Sequence, residues 1–246
     1  MALIASGGET KGFEEVPKGG HKAICYRIVD AGTAQEEYNG ENKLQHRIYI
    51  FWELPEIKMN DGRPMSIFRE YTLSLHERSN LYKDVMSWRN KPFTTDEIHS
   101  FDVTELLKKG CKVNVGRTSG DRAKVTSINS LPSAFDDDES LRDLPTSNDV
   151  QVFDLEDYCK EWSGQSNDAS KAMCDMLEEL PWFIGDRIAG HDGSDRDERP
   201  PCVEVAAAKN KPASEGLSAI KKKKAAPKKK VEEEKDNPDF DDDIPF

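Results

Sequence analysis

The chain has 246 residues, 36% of them hydrophobic, a mean hydropathy of -0.76 and a formal net charge of -12. That apolar content is low for one fully packed globule of this length, so part of the chain is expected to stay outside any core. With no run of about 18 apolar residues to cross a bilayer, and no basic and apolar signal regions in MALIASGGETKG, a cytoplasmic protein with no membrane partner is expected.

The first strand is read in HKAICYRIVD (21–30), which is rich in β-branched and aromatic residues, and the Asn39-Gly40 pair marks the turn that follows. LQHRIYIFWEL (44–54) is the clearest pattern. Its period of two places Leu44, His46, Ile48, Ile50 and Trp52 on one face and Gln45, Arg47, Tyr49, Phe51 and Glu53 on the other. Asp61-Gly62 and Pro64 then turn the chain into a third strand, MSIFREYTLSL (65–75). In HERSNLYKDVMSW the period changes, and Leu81, Val85 and Trp88 form one apolar helical stripe. A short helix is predicted at TTDEIHS, capped by Thr94 or Thr95, with Asp96 and Glu97 at the positive end of its dipole. CKVNVGRT and RAKVTSINSL read as a hairpin around Ser119-Gly120.

The order strand, strand, strand, helix, strand, strand predicts a mainly β domain over residues 1–132 with the plan of an OB-fold, a five-stranded, partly open barrel. Other small barrels and a split α+β sheet share that order. On an OB-fold, strands 2 and 3 and the loops 1-2 and 4-5 bind oligonucleotides. The candidate nucleic-acid site is therefore Arg47, Tyr49 and Phe51, with Arg69 and Tyr71 or Phe68 on the third strand and Arg117 and Arg122 by the last hairpin. A base stacked on an aromatic ring gains about 1–3 kcal/mol in a sequence-tolerant way, and arginine adds phosphate contacts. A second reading stands beside it, in which the acidic region that follows covers this face and the aromatics are core.

That acidic region is assigned to residues 133–190. The section 133–208 carries a net charge of -14, whereas 1–132 and 209–246 are each close to neutral at +1. Two stripes lie in it, Leu155, Tyr158, Cys159 and Trp162, then Met173, Met176, Leu177 and Leu180, before Pro181 and a possible third helix in WFIGDRIAG. They can pack on their own domain, join two copies as a dimer, or meet a partner. The acids could also mimic nucleic acid and occupy the binding groove. Residues 191–237 read as a Lys-rich linker and 238–246 as an acidic tip. KKKKAAPKKKVEEEKDNPDFDDD has too little apolar surface to offset an ordering cost of roughly 1–2 kcal/mol per residue.

Motifs for chemistry are missing. There is no G-x-x-x-x-G-K-S/T, H-E-x-x-H or G-x-S-x-G, and His21, His46, His76, His99 and His191 are scattered. Cys25, Cys111, Cys159, Cys174 and Cys202 form no C-x-x-C pair, which argues against a disulfide frame or a structural zinc site. Asp136 to Asp138 read as a solvated run. No catalytic residue, metal or cofactor is assigned, and an enzyme is not expected.

Two resemblances sharpen the reading. "DFDDDIPF" resembles the last residues of bacterial single-stranded DNA-binding proteins. It implies that the tip docks on replication, recombination and repair enzymes, with Phe246 in an apolar pocket, Ile244 as a second anchor, Pro245 lowering the ordering cost, and Asp241, Asp242 and Asp243 steering it to basic surfaces. "WELP" (52–55), "YTLSLHERSNLYKDVMSWRNKPFT" (71–94) and "FDVTELLKKGCKVNV" (101–115) are similar to a family of bacteriophage replication initiation or single-strand-binding proteins. This second resemblance implies an OB-fold that coats single-stranded DNA in the host cytoplasm. The alternative is a decoy that copies the tip to sequester host repair enzymes and binds little DNA.

Overall fold

The alternation in residues 44–54 leaves large apolar side chains on both faces of one strand, and the folded chain buries both sets. The computed structural model describes residues 14–38, 41–131, 143–155 and 175–188. Its elements are β1 (Gly19–Tyr38), β2 (Glu41–Lys58), β3 (Pro64–Thr72), α1 (Asn80–Arg89), α2 (Thr95–Ser100), a 3-10 turn (Val103–Leu106), β4 (Gly110–Arg117), β5 (Ala123–Asn129), β6 (Gln151–Phe153) and α3 (Trp182–Ile188).

The sheet is mainly antiparallel, in the order β3-β2-β1-β4-β5, and β6 lies parallel to β1 with Gln151 to Phe153 opposite Arg27 to Val29. The sheet is not closed. Its end strands β3 and β5 approach each other without a ladder, and α1 packs against both. The Asn39-Gly40 turn lies outside the described residues, although the ladder reaches Tyr38 opposite Glu41. Leu44, expected on the core face, is exposed, because β3 stops at Thr72 opposite Arg47 and among the described residues no third strand accompanies the hairpin beyond that point.

Strand β1 shows no clean alternation in its sequence, and two bulges explain why. The register slips between Cys25 and Arg27 and again between Asp30 and Gly32. Each inserted residue reverses the in-out phase, so Ala23, Cys25 and Ile28 enter one core while Tyr26, Val29 and Ala31 enter another. Gly32 sits at φ 73°, and its amide donates to Asp30 Oδ1 at 2.7 Å. A residue with a Cβ would be strained there.

The first core is the concave side of the sheet. Ile48, Ile50, Trp52 and Leu54 of β2 meet Met65, Ile67 and Tyr71 of β3, Val113 of β4 and Val125 and Ile128 of β5. Helix α1 lays the expected stripe, Leu81, Val85 and Trp88, on this core. Trp88 packs on Trp52 with ring centroids 5.9 Å apart, and its indole N–H donates to Gly110 O at 2.7 Å. Burying two indoles contributes several kcal/mol, and the bonded Nε1 of Trp88 avoids the cost of an orphan donor.

Helix α2 begins where its sequence predicted. Thr94 caps it, Thr94 Oγ1 accepting from Glu97 N at 3.3 Å and the Glu97 carboxylate accepting from Thr94 N at 2.8 Å. Glu97 also accepts from Arg89, the last residue of α1, so one carboxylate joins two helices. The Thr94 amide first and then the Arg89 guanidinium hold the Glu97 carboxyl at about 2, below its ordinary 4.5. A depressed carboxylate stabilises the folded state above the ordinary value and loses that contribution as pH falls toward the depressed one. A Glu97→Gln chain lacks the contribution at every pH. The difference in Tm between the two proteins, followed by circular dichroism, should therefore close as pH drops from above 4.5 to about 2; a constant difference would refute the coupling.

Candidate nucleic-acid interface

The outward side of β2 begins with Arg47 and continues through Tyr49, Phe51 and Glu53. Tyr49 is 2% exposed, Phe51 4% and Glu53 not at all. What covers them comes from the acidic region: β6, Leu155, the helical residues 175–179, Leu180 and α3. Phe153, Leu155, Met176, Leu177, Leu180, Ile184 and Ile188 close over Tyr26, Val29, Ala31, Tyr49 and Phe51 as a second core. The rings pack edge to face or tilted, Tyr49 and Phe51 on Phe68 at 6.2 and 5.2 Å, Tyr26 on Phe51 at 6.3 Å, and Phe68 on Phe183 at 5.7 Å. Of the two readings of this face, covered core is the one observed.

Magnitudes show that this cover is not lightly displaced. Five of its side chains, Phe153, Leu177, Leu180, Ile184 and Ile188, are buried to within a few percent. At about 1.5–3 kcal/mol each they contribute roughly 8–15 kcal/mol as an upper bound. Two bases stacked on Tyr49 and Phe51 would return about 2–6 kcal/mol. The cover wins.

Polar contacts fasten its margins. Arg27 Nη2 donates to Glu179 Oε2 at 2.8 Å, and the Arg27 guanidinium lies 5.5 Å from the Tyr26 ring centroid. Glu70 of β3 stands between Arg47 at 3.5 Å and Arg187 of α3 at 3.0 Å. Arg47 also donates to Thr72 Oγ1 at 2.9 Å. The buried Glu53 carboxylate accepts from Ser147 N at 2.9 Å, Asn148 N at 2.9 Å and Asn148 Nδ2 at 2.8 Å, which pins residues 147–148 to β2. The described part of the acidic region thus meets the strands through apolar side chains and a few ion pairs, unlike a row of acids lying in a groove.

The remaining candidates are dispersed. Arg69 and Tyr71 lie on the opposite side from Tyr49 and Phe51: Arg69 pairs with Asp84 of α1 at 2.7 Å, and Tyr71 O–H donates to Asp84 Oδ2 at 2.8 Å. Burial pushes Asp84 and Tyr71 above their ordinary values. Arg117 is held by Glu15, whereas Arg122 is exposed on the β4-β5 hairpin. Asp241, Asp242, Asp243, Ile244, Pro245 and Phe246 lie outside the described residues, as does the linker. Beside the cover a groove of about 560 Å³ stays open between Arg27, Arg63, Ser147, Asn148 and Glu179. It mixes both signs of charge, and Tyr26 at its edge is buried and offers no ring face.

Sequence reasoning missed one surface. Outward positions of β1, β4 and β5 form rows across three strands, Lys22-Lys112-Asn129 and Gly20-Asn114-Ser127, with Lys124 opposite Gly116. Lys18, Lys112, Lys124 and Arg122 are exposed. Residues 19–27, 110–117 and 123–129 contain no Asp or Glu at all, a signal that was available in the sequence and hidden by the total of -12. Among the described residues no group of three His, Cys, Asp or Glu is placed to hold a metal ion, and no helix is long and apolar enough to cross a membrane.

Truncating a core ring leaves a cavity, so Phe51→Ala should cost about 3–5 kcal/mol in urea unfolding, against less than about 0.5 for an exposed stacking residue. Glu53→Ala strips the Ser147 and Asn148 amides of their acceptor, and residues 143–150 should gain cleavage in limited proteolysis relative to the unaltered chain; unchanged cleavage there would mean that other contacts hold them. A scan against protein-family models and searches of curated proteins and of solved structures find no match to this chain.

Proposed function

We propose that this chain is a nonenzymatic single-stranded DNA-binding protein built on an OB-type barrel, with an acidic C-terminal tip that recruits replication, recombination or repair enzymes. The observation that carries the reading is the strand order β3-β2-β1-β4-β5, with α1 inserted between β3 and β4 and packed across the open junction of β3 and β5. A partly open five-stranded barrel with β1 shared between β2 and β4 is the OB plan, a frame on which oligonucleotides bind. The resemblance of residues 52–55, 71–94 and 101–115 to phage replication initiation or single-strand-binding proteins, and of "DFDDDIPF" to the bacterial tip, supports the same reading from the sequence side.

One observation favours the decoy reading. The aromatic side of β2, where an OB-fold stacks bases, is buried, so that side offers no stacking surface of the kind that gives such proteins much of their affinity. A protein that binds partners through Asp241 to Phe246 and DNA hardly at all would tolerate that loss.

Titration of the whole chain with a fluorescently labelled oligonucleotide separates the two. Micromolar or tighter binding at low salt is the expected outcome, and no binding there leaves the decoy. Removing Phe246 should abolish capture of single-strand-processing enzymes and leave oligonucleotide affinity intact or raised. Capture that survives would sink the role of the tip.

A further inference from the structure

Resting on that reading, we infer that the strand-contacting surface is the uncovered outer side of β1, β4 and β5, with Lys112, Lys124, Lys18 and Arg122 as its phosphate contacts, in place of the β2-β3 side. The β2-β3 side is closed by the second core, and its arginines are engaged by Glu179, Glu70 and Thr72. The β1-β4-β5 side carries no such layer among the described residues. Lys112 and Lys124 are exposed there, and Arg122 and Lys18 sit at its border.

The composition of this face selects the occupant. Its outward positions on β4 and β5 are Lys112, Asn114, Gly116, Lys124, Ser127 and Asn129, without one aromatic or large aliphatic side chain. Protein partners dock on a buried apolar or aromatic centre, which this surface lacks. Phosphate and sugar are met by lysine, arginine, serine, threonine and asparagine, the residue types present here. Asn114 Nδ2 donates to Ser127 Oγ at 2.9 Å, and Thr126 Oγ1 donates to Asn114 O at 3.0 Å, so the polar groups are held in place by one another.

The glycines keep the surface flat. A Cβ on Gly20 would meet Lys112 Cε at 2.6 Å and Asn114 Oδ1 at 2.9 Å, and one on Gly116 would meet Thr126 Cγ2 at 2.7 Å. Side chains from neighbouring strands lie across both positions. A polynucleotide backbone can therefore run over the three strands without meeting a ridge, held by charge and hydrogen bonds and with its bases left unstacked.

Binding of this kind depends on phosphates and hardly on bases. Anisotropy titrations of the full chain use a labelled oligothymidylate of about 20 nucleotides and an abasic strand of equal length. The abasic strand should bind within about threefold of the oligothymidylate, and four phosphate contacts give a slope of about -3 in log K against log salt. Lys112→Glu with Lys124→Glu should weaken binding at least tenfold and reduce the slope to about -1.5, whereas the same change of charge at exposed Lys58 and Lys83 should not. Circular dichroism confirms that each variant is folded.

Three results would overturn the assignment. Equal loss from the Lys58 and Lys83 reversals would make the effect one of total charge. Unchanged binding by the Lys112 and Lys124 variant, with the abasic strand lost, would leave the DNA-binding function standing and move its site elsewhere. Competition by polyglutamate as effective as by oligonucleotide would assign the face to an acidic protein. Failure of the unaltered chain to bind any strand would instead remove the function, and this site with it.

Discussion

Strand β2 carries large side chains on both faces, and a sheet containing such a strand must be covered twice. Ile48, Ile50 and Trp52 demand one core, Tyr49 and Phe51 another, and leaving either pair in water would forfeit several kcal/mol. The concave side is filled by the sheet's own curvature together with α1. The outer side has to be closed by chain that arrives from elsewhere, and β6 with the helical residues 175–179 and α3 does so. A small β domain thereby becomes a three-layer body, and the surface on which the proposed OB plan would take a ligand becomes interior.

Much of the inner layer was legible because its signals are local. The alternation from Ile48 to Leu54, the stripe Leu81-Val85-Trp88 and a cap at Thr94 each specify structure through residues a few positions apart, and each is found where its sequence placed it, whereas the Thr94-Glu97 capping box was seen only in the structure. The outer layer is a different matter. Met176, Leu177 and Leu180 were readable as one apolar stripe, but nothing local states what an apolar stripe packs against. Strand β6 is three residues long and owes its existence to a parallel ladder with β1, over one hundred positions earlier in the chain. The bulges at Tyr26 and Ala31 erased the alternation that would have announced two faces on β1 as well.

Charge was misleading for a related reason. The excess of acids lies in residues 133–208, while residues 19–27 of β1, 110–117 of β4 and 123–129 of β5 hold lysines with no carboxylate among them. Salt screens fields beyond roughly 10 Å at 0.1 M, so a polyanion approaching the β4-β5 side responds to Lys112 and Lys124 more than to the total. Arginines behaved oppositely. Arg47, Arg69 and Arg117, candidate phosphate contacts in the sequence, and Arg27 beside them are each paired with a carboxylate, which stabilises a guanidinium at the edge of a core. Lys112 and Lys124, with a compact charge on a flexible stem, stay in water.

The two sides are kept apart by the path of β1. From Gly19 to Ile24 its free edge pairs with β4, and from Arg27 to Val29 the same edge pairs with β6. Between them, Cys25 closes the first ladder, its amide donating to Lys109 O at 3.1 Å and its carbonyl accepting from Lys108 N at 2.7 Å, and the bulge at Tyr26 turns the strand toward the second. Leu144 N donates to Lys108 O at 2.8 Å, and Lys109 Nζ pairs with Asp143 at 2.7 Å, so the chain entering the cover is fastened at this same junction. One strand thus changes partner at a single place, and that place divides a surface sealed by hydrophobic burial from one left open to solvent. Because the cover begins beyond the junction, its apolar contacts can be as tight as stability requires without touching the lysine face.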